Sequence, residues 1–248
     1  MESGLDPFLA IAQAETAGRC VLWHESLCYT ASYAPTMLRG GLVPSLGEQI
    51  DEALRVLKWG GLVVFPTDTV YGLGADPRNP DAVARVYDVK RRSRDMALPL
   101  LASGVRQVAT VAVMACAARL LARRYWPGAL TLVLPRKPEF PGFVAGGGPT
   151  LAVRVPRHRV PVALARGLGV PIVGTSANIS GRASPVTAAE AAEQLGGLVE
   201  FIIDGGACPG GIESTVIDVS GGKPRALRHG ALRADAVLSW LESAPEGC

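Results

Sequence analysis

Apolar residues recur at helical spacing from residue 45 onward, and this pattern predicts a first helix that ends near residue 60. Ser45 and Glu48 have the spacing of a capping box at its start, and Gly60 and Gly61 mark its end. A second helix opens on an asparagine followed by a proline, an order typical of helix starts. This second helix and two later ones are predicted over residues 79–90, 105–124 and 187–195.

Short apolar runs between these helices predict buried β-strands. The predicted strands cover residues 62–66, 98–102, 129–134, 151–155, 171–174, 201–203, 215–219 and 226–228. Strands and helices alternate without a fixed repeat, and some consecutive strands are too close in sequence for a helical crossover. The pattern therefore predicts an α/β (α+β) fold in which helices cover a mixed sheet.

The regular pattern has limits along the chain. Residues 1–44 are less regular, and we expect an N-terminal extension that is partly irregular. Acidic residues within it argue against a signal or transit peptide. Residues 45–240 are predicted to form one domain, and residues 241–248 a short C-terminal tail.

Length and composition restrict the class of protein. The chain has 248 residues, of which 48% are hydrophobic. No apolar run approaches the about twenty residues of a membrane span, so we expect a soluble protein without a membrane partner. The five cysteines are odd in number and lack the paired spacings of a zinc site or disulfide framework, which predicts reduced thiols and a cytoplasmic location.

The charge is nearly balanced except in one segment. A formal net charge of +3 is too small to indicate a general nucleic-acid binder. Lys90, Arg91, Arg92 and Arg94 nevertheless form a local cationic cluster at the end of the second predicted helix. A solvated helix end is the alternative interpretation, because cations suit the C-terminal end of a helix dipole.

Small polar residues stand next to several predicted strands. They occupy residues 66–74, 174–181 and 213–216, and Thr150 directly precedes the strand over 151–155. Open α/β sheets usually bind ligands at strand ends, so we predict that these segments form one polar pocket.

Structural interpretations are open for some of these polar residues. Thr67 and Thr69 could shape a turn, and Ser176 and Asn178 could cap a following helix. Arg154 is different, because it stands in an otherwise apolar strand. A charge there needs a partner or a ligand.

The common nucleotide and hydrolase signatures are absent from the sequence. It contains neither a Gly-x-x-x-x-Gly-Lys-Ser/Thr loop nor a Gly-x-Gly-x-x-Gly opening. No serine lies in a Gly-x-Ser-x-Gly elbow, and three histidines offer little for a catalytic triad. A pocket rich in Lys, Arg, Ser and Thr can bind a polyphosphate, which favours phosphoryl or nucleotidyl transfer by positioning.

A set of motifs in this order resembles the YrdC family of threonylcarbamoyl-AMP synthases. The motifs are Pro-Thr-Asp-Thr-Val-Tyr-Gly-Leu at residues 66–73, Lys90-x-Arg92, Pro127-Gly128, Arg154-Val-Pro156, Ser176-Ala-Asn178, Ser214-Thr-Val216 and Leu227-Arg228. The resemblance covers residues 45–238 and implies a twisted mixed sheet with a concave basic pocket. We expect the single-domain type, because the chain ends before the additional C-terminal domain of longer relatives.

The resemblance also implies an activity and its partners. A nucleotidyltransferase of this family joins L-threonine, bicarbonate and ATP into threonylcarbamoyl-AMP and releases pyrophosphate. A downstream threonylcarbamoyl-transferase complex then modifies the adenosine beside the anticodon of certain tRNAs. Mg²⁺ is expected to arrive with ATP, no protein ligand to it is assigned, and direct tRNA binding is left open.

Residue roles follow from the same motifs and are implied by the resemblance. Lys90 and Arg92 are expected to be catalytic and to contact the ATP phosphates. Thr69, Arg154 and Ser214 are expected to hold threonine, with the planar guanidinium of Arg154 on the carboxylate. The expected nucleotide-binding residues are Lys90, Arg92, Thr150, Ser176, Asn178, Ser184 and Arg228.

The chain departs from the family pattern at four positions. Ser93 replaces a proline that is common after the Lys-x-Arg pair, and His229 replaces a proline that is common after the late arginine. Met96 stands where a polar residue is frequent. Leu101 occupies a place where the longer relatives often have a histidine that touches threonine.

Two other functions compete with this expectation. The basic concave face could chiefly recognise double-stranded RNA or tRNA, as the cluster around Lys90 would allow. Alternatively, the fold could make carbamoyl-adenylate, as similar domains do within larger carbamoyltransferases. The absence of attached acylphosphatase-like or zinc-finger regions disfavours that second alternative.

Overall fold

The computed structural model describes residues 44–244. Within them, the helices are α1 (Leu46–Lys58), α2 (Pro80–Lys90), α3 (Val105–Val111), α4 (Cys116–Tyr125), α5 (Arg159–Leu168), α6 (Ala188–Leu195) and α7 (Ala234–Ser243). The predicted extension lies outside the described residues except for Pro44, and so do residues 245–248 of the predicted tail. The start of that tail is the last turn of α7.

Ten strands form two mixed sheets in this part of the chain. The strands are β1 (Val63–Phe65), β2 (Gly72–Gly74), β3 (Leu100–Leu101), β4 (Leu130–Pro135), β5 (Thr150–Arg154), β6 (Ile172–Val173), β7 (Thr175–Ser176), β8 (Phe201–Ile202), β9 (Thr215–Asp218) and β10 (Arg225–Arg228). One sheet has the order β7-β2-β1-β8, and the other has the order β10-β9-β4-β5-β3-β6. The predicted mixed α/β fold is confirmed, with its strands divided between two sheets.

The two sheets are joined where β6 continues into β7 through Gly174. Val173 pairs with Leu100 in the larger sheet, and Thr175 pairs with Leu73 in the smaller one. A Cβ atom at Gly174 would lie 2.3 Å from the Cγ atom of Leu101. Glycine is therefore required for the close approach that lets the chain pass from one sheet to the other.

The predicted capping signals act as expected in the first two helices. Ser45 accepts a hydrogen bond from the Glu48 backbone N–H, and the Glu48 carboxylate accepts one from the Ser45 backbone N–H at 2.8 Å. Asn79 Oδ1 accepts from the backbone N–H groups of Asp81 and Ala82, both at 3.0 Å. Each cap satisfies N–H groups that the first helical turn leaves without a partner.

The prediction of one helix over residues 105–124 is wrong, because the structure has two helices there. The chain leaves α3 at Ala112, whose backbone is extended, and α4 begins at Cys116. Ala112 forms a β-bridge with Arg136, and the Val113 N–H donates to the Pro135 carbonyl at 2.9 Å. Pairing with the end of β4 thus interrupts the helical pattern.

Four elements were not predicted from the sequence: α5, α7, β2 and β7. Strand β2 reads Gly-Leu-Gly, a composition typical of a turn. Cβ atoms at Gly72 and Gly74 would lie 3.0 Å and 2.5 Å from the ring of Phe65 on β1. The glycines are present because this ring covers them, and tertiary packing overrides the local signal.

None of the helices within residues 44–244 is long and apolar enough to span a membrane. Cys208 is a buried free thiol, and burial raises its pKa.

Candidate active site

Strands of both sheets line a cavity of about 590 Å³. The wall contains eight of the ten predicted site residues: Thr69, Lys90, Arg92, Arg154, Ser176, Asn178, Ser214 and Arg228. These residues are far apart in the sequence, and they meet because both sheets direct their loops toward the same space. The predicted polar pocket is therefore a single cavity in the structure.

Arg154 ends β5 and is only 4% exposed. Its Nε donates to the Gly128 carbonyl and its Nη1 to Thr69 Oγ1, both at 2.9 Å, while Nη2 donates to Asp68 Oδ1 at 2.6 Å. Burial lowers the pKa of Arg154, and Asp68 opposes that effect. A guanidinium has five N–H donors, so two remain for a ligand carboxylate.

Thr67 and Thr69 have different roles in the loop after β1. Thr67 Oγ1 donates to the Val70 carbonyl at 2.7 Å and accepts from the Thr69 and Val70 backbone N–H groups, so Thr67 shapes the turn. Thr67 Oγ1 also lies 2.9 Å from Thr69 Oγ1, and either hydroxyl can be the donor in this contact. The Thr69 hydroxyl thus lies between Thr67 and Arg154, and its oxygen accepts from Arg154 Nη1.

Lys90 lies at the end of α2, and its side chain is buried. Its Nζ donates to the Ser176 carbonyl at 2.5 Å, the Asn178 carbonyl at 2.7 Å and Asn178 Oδ1 at 3.1 Å. All three ammonium protons thus hold the loop after β7 in place. Burial lowers the pKa of Lys90 to about 8, and the charge of Arg92 adds to this effect.

Arg92 reaches the cavity because the chain turns sharply after α2. Arg91 has a φ of 51°, a left-handed backbone conformation that is uncommon for a side-chain-bearing residue. Arg92 Nη2 donates to the Ala97 carbonyl at 3.0 Å, whereas its Nε is buried and has no hydrogen-bond partner. Arg91 and Arg94 are exposed, so the solvated-end interpretation fits those two and fails for Arg92.

Arg228 donates hydrogen bonds to the segment that precedes β9. Its Nε donates to the Ser214 carbonyl at 3.0 Å, its Nη2 to Ser214 Oγ at 3.1 Å, and its Nη1 to the Glu213 carboxylate. Ser214 Oγ also lies 2.7 Å from Thr131 Oγ1 on β4. The side chains of Ser214 and Arg228 are thus fixed together on the cavity wall.

Glu213 is the acidic side chain on the described cavity wall. One carboxylate oxygen accepts from Ser184 Oγ at 2.8 Å, and the other accepts from Arg228. Burial alone would raise the pKa of Glu213, but Arg228 and the hydroxyl groups of Ser184 and Ser176 outweigh it, so its pKa is lowered. Glu213 is therefore an anion among cations.

Thr150 and Ser184 are the two predicted residues outside the cavity wall. Ser184 lies behind Glu213 and reaches the site through it. Thr150 begins β5, and the alternation of a strand puts it on the same face as Ala152 and Arg154, which do line the cavity. Its Cα lies about 13 Å from that of Arg154 at the usual rise per residue.

Sequence reasoning missed the roles of Asp68, Thr131 and Glu213. Asp68 is not among the predicted site residues, although the requirement of Arg154 for a partner is the signal that could have identified it. Thr131 is a buried polar residue within apolar β4. Glu213 directly precedes a predicted threonine-binding serine, and the sequence alone does not show that its side chain faces the same cavity.

The four departures from the family pattern fall into two groups. Leu101 is buried and Met96 is half exposed, and both line the cavity. Ser93 and His229 are exposed and are not part of the described wall. Only the first two therefore change the surface that a ligand would meet.

Residues 44–244 contain no group of three or more His, Cys, Asp or Glu side chains that could hold a metal ion. Glu213 is the one carboxylate on the described wall, and its oxygens already bind Arg228 and Ser184. Mg²⁺ commonly combines one or two carboxylates with substrate phosphates and water. The described wall therefore has no carboxylate oxygen that is free of a protein partner.

The fold and this cavity define a class of protein: a mixed α/β domain that offers guanidinium groups and hydroxyls to small anionic ligands. A family model for Sua5, YciO and YrdC proteins, described as "Telomere recombination", matches residues 55–230. The chain belongs to this Sua5/YciO/YrdC family.

Two similar proteins are named threonylcarbamoyl-AMP synthase. The one from Pyrococcus abyssi is 40% identical over 202 residues, which are 79% of this chain and 59% of the relative. The one from Bacillus subtilis is 40% identical over 191 residues, which are 76% of this chain and 55% of the relative. The chain thus spans a little over half the length of these relatives.

A solved structure shows the same likeness. The crystal structure of P. abyssi Sua5 complexed with L-threonine has a TM-score of 0.74 to this chain at 41% identity. The match covers 77% of this chain and 56% of the other. This similarity confirms the YrdC-type fold.

Proposed function

We propose that this protein is an L-threonylcarbamoyladenylate synthase, a nucleotidyltransferase that converts L-threonine, bicarbonate and ATP into threonylcarbamoyl-AMP and pyrophosphate. The observation that carries the proposal is one cavity that brings together eight of the ten predicted site residues. Arg154, Thr69 and Ser214 form an end suited to an amino acid, and Arg92, Ser176 and Arg228 form an end suited to phosphates. The names of the relatives support this assignment.

The amino-acid end offers groups that match a carboxylate and a hydroxyl. The two remaining N–H donors of Arg154 can hold the threonine carboxylate in a planar, bidentate contact. Ser214 and Thr69 add hydroxyl groups beside it. The similar P. abyssi Sua5 was crystallised as a complex with L-threonine, and this supports an amino-acid ligand for the present chain.

The phosphate end offers positive charge without a nucleophile. The threonine amine forms a carbamate, either with bicarbonate and release of water or with carbon dioxide and release of a proton. A carbamate oxygen then attacks the α-phosphate of ATP. The P–O bond to the β-phosphate breaks, and pyrophosphate leaves with the electron pair. Arg92 and Arg228 would stabilise the departing charge, and alignment of the two substrates would supply much of the remaining rate.

We further propose that Mg²⁺ enters bound to ATP and neutralises phosphate charge, because the described wall has one carboxylate and it is engaged. The product would pass to a downstream threonylcarbamoyl-transferase complex that acts on tRNA. Direct tRNA binding and a cytoplasmic location stay predictions. The exposed Arg91 and Arg94 would be the contacts to test for RNA.

The test is pyrophosphate release by the full chain when each of the three substrates is omitted in turn. We expect release only when threonine, bicarbonate and ATP are all present, with threonylcarbamoyl-AMP identified by mass spectrometry. Release without threonine would contradict the proposal. Turnover with carbamoyl phosphate in place of threonine and bicarbonate would favour carbamoyl-adenylate formation, and salt-dependent RNA binding without turnover would favour the RNA hypothesis.

A further inference from the structure

Glu213 connects three segments that are distant in the sequence. Its carboxylate accepts from Ser184, in the loop that follows β7, and from Arg228, at the end of β10. Its own backbone carbonyl accepts from the Ala231 N–H at 2.8 Å. The residue therefore fixes the relative positions of the loop after β7 and the side chain of Arg228.

The backbone at Glu213 is itself held in place by Gly230. A Cβ atom at Gly230 would lie 2.4 Å from the Glu213 carbonyl oxygen and 2.5 Å from the Ser214 carbonyl. The strand β10 side of the cavity thus packs directly onto this segment. The backbone of Glu213 is therefore held in one position.

The charge of Glu213 opposes the charges that would meet a triphosphate. Its carboxylate binds Arg228, and its field also acts on Lys90 and Arg92. It is a negative group on a wall that otherwise offers cations at this end. Such a group weakens the attraction of the wall for phosphates while it orients the arginine that contacts them.

We propose that Glu213 is a positioning residue for the nucleotide end of the cavity: it holds Arg228 and the Ser184 loop in their reactive arrangement at the expense of some affinity for ATP. This inference rests on the proposed function. The Glu213 carboxylate then has two opposite effects. It stabilises the transition state because it orients Arg228, and it weakens the binding of ATP because its negative charge repels the phosphates.

The test is Glu213→Gln, which preserves the shape of the side chain and removes its charge. We expect kcat for pyrophosphate release to fall roughly tenfold or more, because Arg228 loses the charged partner that orients it. We expect the Kd for a non-hydrolysable ATP analogue, measured by calorimetry, to fall about threefold, because a repulsive charge is gone. A purely structural role would weaken binding and turnover together.

Glu213→Asp provides a second variant, and Glu193→Gln on the exposed face of α6 is the matched control. Asp keeps the charge but shortens the side chain, so its Kd should stay at the wild-type value while its kcat falls. Glu193→Gln should change neither quantity. If Glu213→Gln does not fold by its thermal unfolding curve, the Asp variant alone decides the question.

The outcomes separate this inference from the proposed function. A wild-type protein that releases no pyrophosphate with all three substrates would overturn the proposed function. A wild-type protein that is active, with unchanged kcat in both Glu213 variants, would overturn the inference alone. Weaker binding of the ATP analogue to Glu213→Gln would also overturn the inference, because the loss of a repulsive negative charge is expected to tighten that binding.

Discussion

The ion pair between Asp68 and Arg154 lets the energetics of the site be tested directly. The two side chains are 13% and 5% exposed, and Arg154 Nη2 lies 2.6 Å from Asp68 Oδ1. Asp68→Asn keeps an oxygen acceptor at nearly the same place and removes the compensating charge. Loss of one partner from a buried pair typically costs 3–5 kcal/mol, and the retained acceptor puts this change near the lower end, at about 3 kcal/mol.

The assay is thermal and urea unfolding of matched variants. A loss of about 3 kcal/mol should lower the Tm of a domain of this size by roughly 6–12 °C. Asp88→Asn is the control, because Asp88 pairs with Arg94 at 3.0 Å but both side chains are 65% exposed. Exposed pairs contribute about 0–1 kcal/mol, so this control should unfold close to the wild type.

A double variant separates the lost contact from the stranded charge. Asp68→Asn combined with Arg154→Met removes both ions and should recover most of the lost stability, since a buried pair replaced by apolar groups is often neutral. An Asp68→Asn variant as stable as Asp88→Asn would refute the reasoning. So would a double variant less stable than Asp68→Asn alone.

Three further predictions concern the cavity. Arg92→Ala should reduce turnover by about 10² or more, because it removes a cation that stabilises the transition state. Arg94→Ala, at the exposed end of the same cluster, is the control and should change turnover little. Unaltered turnover in a folded Arg92→Ala protein would exclude Arg92 from the site. Lys90 has a pKa of about 8, so it loses its charge as the pH rises through that value. The Kd for an ATP analogue, measured without threonine, should therefore increase above about pH 8. A Kd that stays constant from pH 7 to 9.5 would contradict this prediction. Gly230→Ala should raise the threonine KM, since its Cβ would press on the Glu213–Ser214 backbone, and a wild-type KM would show that the segment yields.

The sequence predicted the parts of the fold that are set by local patterns. All eight predicted strands are present with ends within two residues of the prediction, because short buried apolar runs have few alternatives. The missed strand β2 is held by packing of its glycines under Phe65, which no local signal reveals. The broken helix over 105–124 likewise depends on pairing with β4.

The candidate site shows the same division between local and long-range information. The sequence identifies Lys90 and Arg92 as cations, but it does not distinguish their roles. In the structure, Lys90 donates to the carbonyl groups of Ser176 and Asn178. Arg92 instead has a buried Nε without a hydrogen-bond partner. Glu213 was missed for a related reason. Its partners, Ser184 and Arg228, are 29 and 15 residues away and meet it only in the folded chain.

Most charged groups of the cavity are already fixed by protein partners. Arg154 is held by Asp68 and Gly128, Lys90 by the loop after β7, and Arg228 by Glu213 and Ser214. Such groups need little reorganisation when charge develops on a substrate, and this is the arrangement that makes electrostatic stabilisation effective. Arg92 differs, because its Nε is the one buried side-chain nitrogen or oxygen in the described residues without a hydrogen-bond partner. An unsatisfied buried donor costs free energy that a ligand acceptor would recover, so Arg92 is the cation whose bonding should change most when a phosphate binds.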